Sequence, residues 1–116
     1  MTTTIKFSDN PTTVDLIVGR HNIYILGGLY VKTNSLNIIL INKSTKESIP
    51  IFEYGLKPRD FNGVCCFYFD ISKTGSYDIS FRNYYNVVVK KSMLSMRRLF
   101  QNQLDISDIR VKIERK

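Results

Sequence analysis

With 116 residues, 43% of them hydrophobic and 23% charged, the chain has the make-up of a folded globular domain and not of a disordered segment. A net charge of +7 favours acidic proteins, nucleic acid or anionic surfaces as partners and disfavours cationic ones. Two cysteines and a single histidine exclude a disulfide framework or a one-chain zinc site as the foundation of the fold.

The residue choice points to strands. Fourteen Ile, seven Tyr and seven Phe fit a pleated surface, and Ala, the best helix former, is absent. Ile5–Phe7 reads as a short strand that ends at Ser8-Asp9-Asn10-Pro11. Next, Val14, Leu16 and Val18 alternate with Asp15 and Ile17, which predicts a strand with the first set on one face. Residues 22–31 are strongly apolar, and Gly27-Gly28 in their middle predicts a bend rather than one straight strand. Residues 35–42 (SLNIILIN) predict a central strand. Residues 49–54 (IPIFEY) predict another, with Pro50 favouring an edge or a strand start. Residues 55–63 (GLKPRDFNG) are the longest polar interruption and are expected to be an ordered loop.

The clearest patterning follows. Phe67, Phe69 and Ile71 alternate with Tyr68 and Asp70; after a short break, Tyr77, Ile79 and Phe81 alternate with Asp78 and Ser80. Both runs predict half-buried strands. Cys65 and Cys66 are neighbours within the first run, so one thiol is expected inward and one outward, both reduced. Tyr77 follows Gly75-Ser76 directly. This resembles the tyrosine corner of immunoglobulin-type Greek-key sandwiches, although the paired cysteines and core tryptophan of antibody domains are missing. The resemblance implies an inward ring whose hydroxyl bonds to backbone a few residues upstream.

Residues 85–91 (YNVVVKK) predict one more strand. In residues 92–104, Met93, Met96, Phe100 and Leu104 recur at helical spacing, which suggests a short amphipathic helix or a covering loop. Residues 108–114 return to alternation, with Ile109, Val111 and Ile113 inward and Arg110, Lys112 and Glu114 outward. The whole predicts one all-β domain over residues 1–116. An immunoglobulin-like antiparallel sandwich of seven to nine strands is expected, with the short helix before the last strand.

Little catalytic chemistry is visible. A nucleophile needs an adjacent base and an orienting group. The only imidazole, His21, lies in Gly-Arg-His-Asn between two predicted strands, where a surface or capping role is expected. No phosphate-binding loop, dinucleotide fingerprint, nucleophile elbow or metalloprotease motif occurs. The expectation is a non-enzyme with no cofactor and no metal.

Charge is more informative. Residues 1–89 hold nine Lys/Arg against seven Asp/Glu, whereas residues 90–116 hold eight against three. Exposed tyrosines beside such a cluster make an interface, and the expected partner-binding residues are Tyr84, Tyr85, Lys90, Lys91, Arg97, Arg98, Arg110 and Lys112. The reading is a small binding or inhibitory module for another protein, an acidic one being favoured by the charge. Nucleic acid on the same basic face is the alternative, and a carbohydrate or small ligand comes third. Self-association through an edge strand is a further expectation. No apolar run is long enough to span a membrane and no secretory leader is evident, so a cytoplasmic location is expected.

Overall fold

The computed structural model of the chain describes residues 2–59, 63–91 and 102–116. Eleven strands follow one another: β1 (Thr2–Lys6), β2 (Thr12–Leu16), β3 (Gly19–Leu26), β4 (Tyr30–Lys32), β5 (Asn37–Asn42), β6 (Ser48–Ile49), β7 (Phe52–Glu53), β8 (Gly63–Ile71), β9 (Gly75–Arg82), β10 (Val88–Lys90) and β11 (Arg110–Arg115). Among the described residues there is no α-helix, only single 3-10 turns at Tyr84–Asn86 and Ile106–Asp108. The fold is all-β, with every strand pair antiparallel. The predicted helix falls mostly on residues 92–101 and lies outside the described residues.

One sheet has the order β1-β11-β3-β8-β7, a second the order β2-β9-β5-β6, and β10 and β4 form a separate ribbon. The inner faces meet in a single buried cluster. Ile23, Ile25, Phe69, Val111 and Ile113 come from the first sheet, Val14, Leu40, Tyr77, Ile79 and Phe81 from the second, and Val89 from the ribbon. Val14, Phe69, Tyr77, Ile79, Phe81, Val111 and Ile113 are among the inward positions that the alternation predicts. A face buried on one side forces a period of two, because slipping one residue would turn the whole apolar set to water.

Strand number exceeds the expected seven to nine because four of the strands are two or three residues long. Residues 49–54 are not one strand. Ser48–Ile49 pairs with β5 in the second sheet and Phe52–Glu53 pairs with β8 in the first, so the chain changes sheets at Pro50-Ile51. Proline has no N–H to give to either ladder, which suits it to that crossing. The break at Gly27-Gly28 is as the sequence predicts: β3 ends at Leu26 and Gly27 adopts φ +123°. Gly28 then packs so closely on β10 that a Cβ would sit 2.1 Å from the Lys90 carbonyl oxygen. Val18 departs from its expected face. β2 stops at Leu16, the alternation lapses, and Val18 is 49% exposed.

Tyr77 is fully buried, and its hydroxyl donates to the Lys73 carbonyl at 2.6 Å. The bond ties the β8–β9 connection to the strand it enters. Tyr77→Phe keeps the ring and removes only this bond, so an unfolding free energy lower by about 0.5–1.5 kcal/mol is expected in urea titrations. An unchanged midpoint would mean that the hydroxyl contributes nothing to the corner.

Candidate binding surface

The residues expected to bind a partner lie on three separate elements. Tyr84 and Tyr85 occupy the 3-10 turn after Asn83, whose left-handed backbone (φ 60°) stops β9 and prevents a continuous strand into β10. Tyr84 stacks on Phe7 and is partly buried against the core, so of the pair Tyr85, 67% exposed, is the one chiefly presented to solvent. Lys90 ends β10 in the ribbon, with Lys91 directly after it. Arg110 and Lys112 belong to β11 in the five-stranded sheet, where the Arg110 guanidinium donates to the Ser107 carbonyl at 2.8 Å. The Lys112 ammonium lies 4.3 Å from the centre of the Tyr24 ring. Arg97 and Arg98 lie outside the described residues.

A more connected surface lies on the outer face of the five-stranded sheet and along its β7 edge. Register sets Asn22 of β3 opposite Tyr68 of β8, and Tyr68 opposite Phe52 of β7. Phe52 stacks on Tyr68 with ring centres 5.3 Å apart, and Tyr54 leans on Tyr68 at 4.8 Å. The Tyr54 hydroxyl reaches across the face to donate to Asn22 Oδ1 at 2.7 Å. Arg20 lies 4.5 Å over the Tyr68 ring and grips Asp70 at two points, 2.8 and 3.1 Å. That two-point bond holds the Asp70 carboxyl below its ordinary value, and the charge of Arg20 adds to the effect. Burial raises the Tyr54 hydroxyl, with Cys65 nearby as a further cause. Each side chain of this row is thus held by another.

Beyond β7 the chain keeps to the edge of β8 but not continuously. Tyr54 N–H donates to the Cys66 carbonyl and Cys65 N–H donates to the Pro58 carbonyl, while Arg59 bridges to Val64. Residues 55–57 are therefore looped out from an otherwise attached edge. The loop is stapled: the Lys57 ammonium donates to the Tyr54 carbonyl at 2.9 Å and pairs with Glu53 at 3.0 Å. Arg59 Nε anchors the far side on the Leu29 carbonyl. At the tip stands Leu56, 92% exposed, with Phe52, 46% exposed, on the strand that leads into the loop. The sequence marks residues 55–63 as an ordered loop, but its polar composition hides the one leucine that matters.

The pairing of β8 explains the cysteines. Both are free and they split inward and outward as the sequence predicts, but the outward one is buried as well. The β3–β8 register shifts between Ile23 and Tyr24, which leaves Cys66 as the extra residue of a bulge and turns it into the core. Cys65 takes the outer face, opposite Tyr24, and lies near the Tyr54 hydroxyl. Burial pushes the Cys66 thiol up to about 12, so it is an inert packing group and not a nucleophile.

His21 is also not where the sequence puts it. It lies within β3, fully buried, stacked on Phe69 at 5.3 Å, with Nε2 2.8 Å from the Ile17 carbonyl oxygen. A carbonyl can only accept, so Nε2 carries the proton. Among the described residues no three His, Cys, Asp or Glu side chains gather as a metal site would require. No described helix is long and apolar enough to cross a membrane.

Comparison of the chain with protein-family models, with curated proteins and with solved structures found no match.

Proposed function

We propose that the chain is a non-catalytic recognition module, a single immunoglobulin-like sandwich that binds another protein through its β7 edge. The observation that carries this reading is Leu56: a leucine almost wholly in water, at the tip of a loop fixed on both sides by hydrogen bonds and an ion pair. An apolar anchor that is already ordered loses little freedom on docking, and that is how a small interface gains affinity. Phe52 and the Tyr68–Arg20 row extend the surface with the aromatic and arginine side chains that interfaces favour. The Tyr77 corner supports the immunoglobulin-like architecture. Two free, buried thiols fit a reducing, cytoplasmic setting. The net charge of +7 favours an acidic partner and speeds encounter with it.

The test is a photo-crosslinking residue at position 56, followed by affinity measurements on the captured partner. A discrete protein adduct is expected. Leu56→Asp and Phe52→Ala should each weaken the complex by about 2 kcal/mol or more, as anchor residues do, with the thermal midpoint unmoved for Leu56→Asp and only slightly lowered for Phe52→Ala. Reversing Lys90 and Lys91 to Glu should mainly slow association. A nuclease-sensitive adduct whose affinity depends steeply on salt and on Lys90 and Lys91 would replace this reading with nucleic-acid binding. An affinity indifferent to Leu56→Asp would remove the β7 edge from the interface.

A further inference from the structure

The edges of the two larger sheets are defended unequally. β7 is two residues long, ends in the 55–57 loop and carries the Glu53–Lys57 pair. β6 is two residues long and runs into Pro50, and β2 carries Asp15. β1 is different. It is five residues long, its register with β11 is unbroken, and Thr2, Thr3, Thr4 and Ile5 bring no charge and no proline. Charge, proline, bulges and shortness are the devices by which edge strands refuse a second strand. Until Lys6, β1 has none of them.

The hydrogen bonds identify which groups are open. Lys6 N–H donates to Asp9 Oδ2, and Asp9 N–H donates to the Lys6 carbonyl, so the Lys6 backbone is turned away from β11 and is already occupied. Main-chain groups alternate along a strand, so those of Thr3 and Ile5 face β11 while those of Thr2 and Thr4 face outward. Among the described residues nothing pairs with that outward side of β1.

We infer that β1 is a self-association strand: two copies of this chain pair antiparallel through it, about a two-fold axis passing between their Thr3 residues. The register follows from the open groups. Thr2 of each copy meets Thr4 of the other in hydrogen-bonded pairs, giving four main-chain bonds, and Thr3 meets Thr3 in the non-hydrogen-bonded position. A pairing centred on Thr4 would need the Lys6 groups that Asp9 occupies. The chosen register matches threonine with threonine, a favourable cross-strand pair. It also sets the Lys6 end of each copy beside the end of the other where Glu114 accepts from Thr2 Oγ1 at 3.2 Å, so opposite charges lie toward each other. Both copies use the same patch, as a closed two-fold dimer requires. The joined sheet has ten strands and leaves its two β7 edges at opposite ends, about 40 Å apart at ordinary strand spacing.

A five-residue strand buries little, so the dimer is weak and grows with concentration. Sedimentation equilibrium on the full chain should show the mass rising from monomer toward dimer. Thr4→Pro, which removes an outward N–H only, should abolish that rise and leave the thermal midpoint in place. Register is read separately. A non-hydrogen-bonded antiparallel pair has its Cα atoms about 4.5 Å apart, within disulfide range. Thr3→Cys should therefore form a disulfide dimer in oxidised glutathione, and Thr4→Cys, which faces Thr2, should not. The inference is overturned if the wild-type chain stays monomeric to its solubility limit or if the dimer survives Thr4→Pro. It is equally overturned if Thr4→Pro unfolds the protein, or if the Thr4→Cys protein cross-links as readily as the Thr3→Cys protein.

Discussion

Removing residues 107–116 is expected to leave a chain that does not fold. Ile109, Val111 and Ile113 are fully buried, and burying three such side chains contributes about 4.5–9 kcal/mol at the usual 1.5–3 kcal/mol each. That is comparable to the whole net stability of a small domain, about 5–15 kcal/mol. The structural consequence is larger still. β11 lies between β1 and β3, and among the described residues β1 has no other strand partner, so truncation also detaches β1 and uncovers Ile5. Loss of dispersed amide resonances in a proton–nitrogen NMR spectrum, or aggregation in light scattering, is the expected readout. A point substitution tests the same placement more gently. By the alternation that turns Thr4 away from β11, Lys112 directs its N–H to β3, opposite Tyr24. Lys112→Pro removes that donor and orphans a sheet carbonyl, a loss of about 1–3 kcal/mol before any distortion of the ladder. A truncated chain that stays folded and monomeric would show that β11 is an ornament.

Sequence periodicity was a good guide where one face of a strand is buried and the other wet. Phe67, Phe69, Ile71, Tyr77, Ile79 and Phe81 all lie inward, and so do Val111 and Ile113, because a period of two leaves only one consistent orientation. The corner at Tyr77 was legible for a related reason: Gly75 and the tyrosine are two residues apart, so the device is local. What the sequence hides is contact between distant segments. The alternation of Phe67, Phe69 and Ile71 would set Cys65 inward and Cys66 outward, but the bulge that the register with β3 imposes at Cys66 reverses the two. His21 sits among Gly, Arg and Asn, which read as a turn, whereas its ring is held by Phe69 from another strand. Pro50 reads as an edge or a strand start within one strand and not as a change of sheet, since nothing local to Ile49 and Phe52 says which partner each will find. The candidate site suffers most from this. Tyr84 and Tyr85 stand out in the sequence because aromatic residues adjoin basic ones there, whereas Arg20, Phe52 and Tyr68 come together only across strands and Leu56 is a single apolar residue in a polar run.

Two phenylalanines on neighbouring strands give the sharpest separation of fold from surface. Phe69 of β8 is fully buried, directly opposite His21, while Phe52 of β7 stands half-exposed at the sheet edge and stacks on Tyr68 of the outer-face row. Phe69→Ala should lower the unfolding free energy by about 3–5 kcal/mol, the ordinary cost of emptying a core phenylalanine site. The cavity would open between the inner faces of the two sheets, and the His21 ring would lose the stack that holds it at 5.3 Å, although its bond to the Ile17 carbonyl would remain. Phe52→Ala removes the same atoms but uncovers no core, so only its cross-strand contact with Tyr68 is lost, about 0.2–1 kcal/mol. Denaturant midpoints read at unchanged slope measure both effects on one scale. If the two substitutions cost the same, Phe52 belongs to the core as much as Phe69 does. A large loss at Phe69 with almost none at Phe52 leaves Phe52 open to serve an interface, since a side chain that the fold does not need can be committed to a partner.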